Sequence, residues 1–360
     1  MNRPVFDPKE LIPIGEEPSF MNRGPGRPIY DTPITPKENL FMSLRHEKPL
    51  WMPMGDGTTM ICPAVPDNIA RAFVFETKKV PNEIGIVGGF DMFGVEWEYV
   101  PTAGGSMVRG GAPKIPDITE WEKYVTFPNL DEIIDWKTIS ERNKDYGSPR
   151  KALSVQILNG LFERLISFMD MSGALVALVD EDEQEGVHRL FDKLCDFYDD
   201  YMRHYVEYFH AEHFVFHDDW GSQRAPFFSL GTVREMILPY LKRIGDSAHK
   251  HNMILDLHSC GCIETLVPAM IEAGVDSWNG QTMNDKLKVA QTYKGQIIVD
   301  AYPMDIRPDM NEEQAREVLT KYVSDFKGLA AFTTQVFDLP PCPRQYELQY
   351  EISRKLFNPD

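Results

Sequence analysis

Two segments far apart in the sequence carry side chains that could bind a soft metal ion. His258 and Cys260 are separated by one residue at the end of an apolar run, and residues two apart in a strand share a face. Cys342 is flanked by prolines, which restrict the backbone that would present its sulfur. Zinc requires three or four such donors in a tetrahedral array, so we predict that His258, Cys260 and Cys342 bind zinc. Cys262 could replace Cys260, and simple burial of these side chains without a metal is the alternative.

A second polar cluster, His217-Asp218-Asp219-Trp220, follows another apolar run. Its side chains could supply a fourth zinc ligand, a general acid or a substrate contact. A cluster that caps a helix N-terminus is the alternative. We predict catalytic roles for Asp218 and Asp219.

Two further segments are candidates for ligand contacts. The segment Trp278-Asn279-Gly280-Gln281 offers amide groups that could fix a polar ligand group. The segment GGFDMFG, which begins at Gly88, contains Asp91 beside large apolar side chains. It is not a phosphate loop, because it lacks the Lys-Ser/Thr pair and a following helix.

Short apolar runs alternate with helical patterns along the chain and predict the elements that position these residues. The candidate strands are Leu50–Met54, Ile84–Val87, Leu153–Ile157, Phe214–His217, Ile254–His258, Val275–Asn279, Ile297–Ala301 and Leu329–Val336. Strand–helix alternation implies parallel pairing with right-handed crossovers. Eight such strands favour a single (β/α)8 TIM barrel over residues 37–360, with an open doubly wound sheet as the alternative. Residues 1–36, rich in Pro and Gly, predict an extended N-terminal arm. Active sites of such barrels lie at the carboxyl ends of the strands, where both polar clusters fall.

Helix boundaries have local signals of their own. The acidic run Asp180–Glu185 suits a helix N-terminus, because carboxylates interact favourably with the helix dipole there. Asn311 and Gln314 have the spacing of a capping box and predict a helix that ends near Phe326. Apolar residues at helical spacing predict a helix from Gly231 to His251.

Composition limits the possible partners. The chain has 360 residues and a net charge of −18, which disfavours binding to nucleic acid and to anionic membranes. The five cysteines are too few and too scattered for a disulfide framework, as expected of a reducing compartment. The N-terminal segment lacks the pattern of a signal peptide, and no apolar run is long enough to span a membrane. We predict a cytoplasmic protein without nucleic-acid or membrane partners.

Three stretches of the chain resemble the uroporphyrinogen decarboxylase superfamily. They are TPKENLFMSLRHEKPLWMPM, FHDDWGSQRAPFFS with LPYLKRI, and LHSCGCIETLVPAMIEAGVDSWNGQ, and the resemblance covers roughly residues 36–355. The family fold is a (β/α)8 barrel. The arginine-containing stretch by which uroporphyrinogen decarboxylases bind substrate carboxylates is replaced here by the segment from Met54 to Thr59. The corrinoid-dependent methyltransferases of this superfamily carry a His-x-Cys…Cys zinc motif, which His258, Cys260 and Cys342 match in type and order. The Pro-Pro-Cys-Pro setting of Cys342 departs from the usual Gly-Cys-Gly.

Within that branch, GGFDMFGVEWEYVP and HDDWGSQ are most similar to the methyltransferase I components of O-demethylase systems in anaerobic bacteria, such as veratrol–corrinoid protein methyltransferases. The resemblance implies transfer of a methyl group from a methoxylated aromatic to the Co(I) corrinoid of a separate small corrinoid protein, with Zn2+ as a Lewis acid. Side chains that would contact such a substrate are Phe90, Asp91, Phe93, Trp220, Trp278, Gln281 and Tyr302.

Three alternatives use the same fold. One is transfer of a methyl group from a methylated corrinoid protein to a thiol such as coenzyme M, because zinc lowers the pKa of a bound thiol. Another is a zinc-free barrel that binds a corrinoid or tetrapyrrole. The third is a decarboxylase that acts on porphyrinogens.

Overall fold

In the computed structural model, strands alternate with helices, as the apolar runs predict. The structure describes residues 4–17, 26–77, 87–102, 105–111, 113–333 and 342–359. The strands are β1 Pro13–Glu17, β2 Arg27–Tyr30, β3 Thr58–Ile61, β4 Gly89–Phe90, β5 Glu96–Val100, β6 Gly105–Val108, β7 Ala152–Ile157, β8 His213–His217, β9 Ile254–Ser259, β10 Ser277–Gly280, β11 Ile298–Ala301 and β12 Ala331–Thr333.

The helices include one long pair in the middle of the chain. The helices are α1 Pro36–Leu44, α2 Pro66–Ala70, α3 Leu130–Ile133, α4 Trp136–Arg142, α5 Leu161–Ala177, α6 Glu181–Phe209, α7 Leu230–Thr232, α8 Leu238–Lys250, α9 Val267–Glu272, α10 Lys286–Thr292, α11 Glu312–Asp325 and α12 Gln345–Phe357, and α5 and α6 are the long pair. A π-helical turn, Val233–Ile237, lies between α7 and α8. Short 3-10 helices occur at Pro8–Leu11, Ile118–Lys123 and Glu264–Leu266.

The predicted helix boundaries are confirmed where a capping side chain marks them. Asp180 accepts a hydrogen bond from the backbone N–H of Asp182 at the start of α6. Asn311 and Gln314 form the predicted capping box at the start of α11. Each cap satisfies backbone N–H groups that have no partner within the helix, which is why a short local pattern is enough to predict it.

The chain divides into two compact units. Unit one comprises Met1–Thr58, Pro149–Ala152 and Asn284–Asp360, and unit two comprises Thr59–Ser148 and Leu153–Met283. No helix among the described residues is both long enough and apolar enough to cross a membrane. All five cysteines are free, as expected without a disulfide framework.

Unit two contains most of the α/β structure. Its strands are adjacent in the order β10, β9, β8, β7 and β3, and β7 to β10 pair in parallel. A separate antiparallel sheet of β4, β5 and β6 was not predicted. The predicted strand Ile84–Val87 lies mostly outside the described residues.

Unit one contains the parallel pair β11 and β12 and the antiparallel hairpin of β1 and β2. Its N-terminal residues contact α12: Glu10 forms an ion pair with Arg354 at 2.7 Å, and both side chains are buried. Trp51 packs against Tyr350 in the same core, with 5.0 Å between ring centroids.

The predicted strand Leu50–Met54 is wrong. Only Met54 pairs, in an isolated parallel bridge with Thr333, and the strand that was missed, β3, begins at Thr58. Pro53 lacks the N–H that a ladder needs, and Leu50 is buried in a core cluster. The parallel α/β class is confirmed. Among the described residues, however, β3 and β7 to β12 make seven such strands, one fewer than the predicted closed barrel requires. The final residues of the predicted strand Leu329–Val336 lie outside the described part of the chain.

Candidate metal centre

The register of three parallel strands in unit two places polar side chains side by side. His217 at the end of β8 is the pairing partner of His258 on β9, and His258 is the partner of Asn279 on β10. The two imidazole rings are stacked, with centroids 4.2 Å apart and an interplanar angle of 22°. Residues at the same level of adjacent parallel strands point to the same face, which explains the convergence.

Nitrogen, oxygen and sulfur donors converge at this point. Candidate ligand atoms of His217, Asp219 and His258 all lie within 4.8 Å of one another. Sγ of Cys260 lies 3.4 Å from Nε2 of His258, and Oδ1 of Asp219 lies 4.0 Å from the same nitrogen. The side chains of His258 and Asp219 are 24% and 30% exposed, so a ligand can reach the cluster.

A hydrogen bond at Nδ1 orients each of the two imidazoles. Nδ1 of His217 lies 2.7 Å from Oε2 of Glu163, and Nδ1 of His258 lies 3.3 Å from Oδ1 of Asn279. With oxygen partners at Nδ1, each ring, when neutral, is set to donate its electron pair from Nε2. Such outer partners fix the tautomer and ring orientation of histidine ligands.

Hydrogen bonds from backbone N–H groups to side-chain oxygens connect the loop after β9 to the residues that follow β8 and β10. The N–H of Cys260 donates to Oδ1 of Asp219 at 2.7 Å, and the N–H of Gly261 donates to Oε1 of Gln281 at 2.9 Å. Gly261 has φ +98°, and a Cβ atom there would lie 2.3 Å from the carbonyl carbon of Gly221. Only glycine allows this close approach.

The cluster changes the protonation of its members. Burial, the nearby charge of Asp219 and a hydrogen bond to it raise the pKa of Cys260. Burial alone would raise the pKa of Asp219, but the two imidazoles and the amide of Cys260 outweigh it and the pKa is lowered. Burial opposes the charged form of His217, yet the carboxylates of Glu163 and Asp219 raise its pKa. The thiol therefore needs a cation nearby to ionise.

Asp218 and Asp219 are adjacent but lie in different environments. Asp218 is fully buried and accepts hydrogen bonds from the backbone N–H of Glu163 at 2.9 Å and the indole N–H of Trp220 at 2.8 Å. Burial, with the charge of Glu163, raises the pKa of Asp218 to about 7. Its contacts hold the start of α5, whereas Asp219 is the carboxylate in the donor cluster.

The aromatic side chains predicted to contact substrate mostly lie in the core of unit two. Trp220 and Trp278 are fully buried, and Phe93 packs between Phe168 and Phe197. Phe90, by contrast, is 66% exposed. Substrate contacts for these residues stay predictions.

Asp91 is also buried, and both oxygens of its carboxylate accept hydrogen bonds from the protein. It accepts from the guanidinium of Arg164 at 2.6 Å, the indole of Trp97 at 3.0 Å and the N–H groups of Phe93 and Val95, each at 2.9 Å. The side-chain oxygen Oε1 of Gln281 likewise accepts a hydrogen bond, from the N–H of Gly261.

Two predicted site residues belong to unit one. Cys342 is buried, with Sγ 3.8 Å from the carbonyl oxygen of Met310. Tyr302 is half-buried, and burial raises its pKa, as does nearby Cys342. The role of Cys342 as the third zinc ligand stays a prediction.

Sequence reasoning missed Glu163 as a site residue and did not commit to His217 as a ligand. His217 stands in the predicted polar cluster, so its position at a strand end was an available signal. Glu163 lies 54 residues earlier on a helix, and no local pattern links it to β8.

The donor set suits zinc, which is bound by thiolate, imidazole and carboxylate donors in proteins. A thiolate and two neutral imidazoles favour zinc over magnesium or calcium, which require oxygen ligands. The residues present therefore fit the predicted ion.

No protein-family model matches the chain, and comparison with curated proteins finds no match. Among solved structures, a methyltransferase from Methanosarcina mazei is similar over 90% of this chain and 99% of its own, with a TM-score of 0.59 and 13% identity. A sugar phosphate isomerase/epimerase from Parabacteroides distasonis matches 64% of this chain and 84% of its own at 7% identity and a TM-score of 0.34. That last likeness is too weak to bear on the fold. The first shows that this chain shares the fold of a methyltransferase.

Proposed function

We propose that the chain is a zinc-dependent methyltransferase that moves a methyl group from a methoxylated aromatic to the Co(I) corrinoid of a separate corrinoid protein. This proposal rests on one observation: Sγ of Cys260 lies 3.4 Å from Nε2 of His258 at the end of β9. The fold shared with a methyltransferase supports it. Cytoplasmic location, which would keep the thiol reduced, belongs to the same proposal.

The residues of the chain would divide the chemistry among them. Zinc bound at His258 and Cys260, with Cys342 as the predicted third ligand, supplies a Lewis acid for an ether oxygen. Phenolate is a poor leaving group, so stabilising the charge that develops on that oxygen is the main requirement of the reaction. Asn279 keeps the ring of His258 in one orientation, and Asp219 holds the amide of Cys260, so the donors are ordered before substrate binds.

Substrate binding would use the accessible residues of the predicted set. Phe90, exposed on β4, and Tyr302, half-buried in unit one, are each a candidate to stack on an aromatic ring. Of the two predicted catalytic carboxylates, Asp219 stays in the reaction site of this proposal. Asp218 has a positioning role, because both of its oxygens accept hydrogen bonds from the protein.

The test is demethylation of a panel of methoxyarenes by the full chain, with a reduced corrinoid protein supplied as acceptor. We expect phenol formation by the wild type and its loss in Cys260→Ala. Cys195→Ala is the matched control, because Cys195 is a buried cysteine of the same unit whose Sγ contacts the carbonyl oxygen of Tyr240. Methylation of an added thiol without phenol formation, or carbon dioxide release from a porphyrinogen, would overturn the proposal in favour of the alternative activities.

A further inference from the structure

We propose that the metal of this site is held within unit two by four donors, His217, Asp219, His258 and Cys260, and that metal binding does not require Cys342. This inference rests on the proposed function, because it assigns the ligands of the same zinc ion. It differs from the ligand set expected from the resemblance, which takes its third ligand from unit one. With four protein donors, the ether oxygen would have to enter as a fifth ligand, an expansion that catalytic zinc sites allow.

The distances match a site that is almost assembled. Zinc–nitrogen bonds of about 2.0–2.1 Å and zinc–sulfur bonds of about 2.3 Å give tetrahedral donor–donor edges of roughly 3.4–3.6 Å. The separation of Cys260 Sγ from His258 Nε2 is 3.4 Å, close to the nitrogen–sulfur edge of about 3.5–3.6 Å. Asp219 Oδ1 stands 4.0 Å from the same nitrogen, and the three non-sulfur donors all fall within 4.8 Å. Cys260 joins this group through its contact with His258.

Charge balance favours the same four donors. Ionised Asp219 and the thiolate of Cys260 together offset the two positive charges of zinc, and the two imidazoles bind as neutral ligands.

Glu163 acts as a positioning residue for His217. Its Oε2 lies 2.7 Å from Nδ1 of His217, and its own backbone N–H is held by the buried Asp218. Arg71 lies 3.7 Å from the other oxygen of Glu163 and neutralises part of its charge. Carboxylate–histidine–metal arrangements of this kind raise ligand basicity and fix the ring.

The proposal is tested by zinc affinity in the full-length chain, measured by competition with a chromogenic chelator, and by the absorption spectrum of the Co2+-loaded protein. We expect His217→Ala to weaken zinc binding by at least about 100-fold, and Glu163→Gln by about 10–100-fold. His213→Gln, a histidine change in the same strand outside the cluster, should leave affinity within about threefold of wild type, as should Cys342→Ala. The Co2+ spectrum should change in His217→Ala and Glu163→Gln and not in Cys342→Ala, which separates a ligand role from a general loss of folding.

Three results would decide against the inference. Wild-type zinc affinity in His217→Ala together with lost affinity in Cys342→Ala would assign the third ligand to unit one and overturn the four-donor set. The proposed function would survive that result, because zinc and demethylation would both remain in the wild type. A wild-type protein that binds no zinc would overturn both. A Co2+ spectrum without thiolate charge-transfer absorption would remove Cys260 from the set.

Discussion

Replacing Asp91 should unfold unit two more readily rather than impair substrate binding. Asp91 lies in a buried network: its Oδ2 contacts Arg164 at 2.6 Å, and Arg164 also binds Asp67 at 2.7 Å. The side chains of Arg164 and Asp91 are 1% and 0% exposed. Arg164 also lies over the ring of Phe93, 4.6 Å from its centroid. Removing the charge of Asp91 therefore leaves a buried guanidinium with one carboxylate instead of two.

The magnitude follows from the burial of the pair. Breaking a buried ion pair by removal of one partner costs about 3–5 kcal/mol. Asp67 remains as a partner of Arg164, which places Asp91→Asn near 3 kcal/mol, at the lower end of that range. The new amide NH2 group would also face the N–H donors of Arg164 and Trp97, which currently share Oδ2. With a urea m-value of about 3 kcal/mol per molar, the unfolding midpoint should fall by ~1 M.

The assay is urea unfolding followed by tryptophan fluorescence, with the Michaelis constant for a methoxyarene measured on the same preparation. Asp145→Asn is the matched control, because Asp145 is exposed and should shift stability by less than about 0.5 kcal/mol. A variant with wild-type stability and a raised Michaelis constant would refute the reasoning and support the original prediction of a substrate contact at Asp91.

Three further predictions concern stability, each measured by urea unfolding. Glu10→Gln should lower the free energy of unfolding by about 3 kcal/mol, because it leaves buried Arg354 without its charged partner. Arg354→Lys keeps the charge and should lower it less. Equal losses of stability in the two variants would contradict this prediction. Burial lowers the pKa of His213 to about 4, below its unfolded value of about 6.5. The unfolded state therefore binds more protons between these values and stability falls as pH drops through them, so His213→Gln should remove up to ~3 kcal/mol of that acid sensitivity; an unchanged slope between pH 7 and pH 4.5 would refute this. Gly261→Ala should destabilise by several kcal/mol, and clearly more than Gly295→Ala, whose φ is also positive but whose added Cβ meets no atom within 4 Å; equal effects would show that backbone strain alone matters.

Local patterns predicted most of the elements around the site. The strands β7, β8 and β9 agree with apolar runs, because three or four consecutive buried residues leave a signal in a short window. The prediction of a strand at Leu50–Met54 was wrong for a reason outside that window. Its apolar residues pack against α12, some 300 residues away.

The two adjacent carboxylates show what such patterns leave open. Asp218 and Asp219 look equivalent in the sequence, and which of them joins the donors depends on how the chain leaves β8. Asp218 turns toward the start of α5 and the indole of Trp220, and Asp219 toward the amide of Cys260. The same holds for Asp91, whose partner Arg164 stands 73 residues away.

The sequence by itself determined that an imidazole and a thiol, His258 and Cys260, would share one face at the end of a strand, because alternation along a strand is a local property. Only the tertiary structure decided that His217 lies beside them and that Glu163 stands behind it. Strand register and helix packing bring these residues together, and both depend on the free energy of burying the whole core rather than on any short stretch of residues.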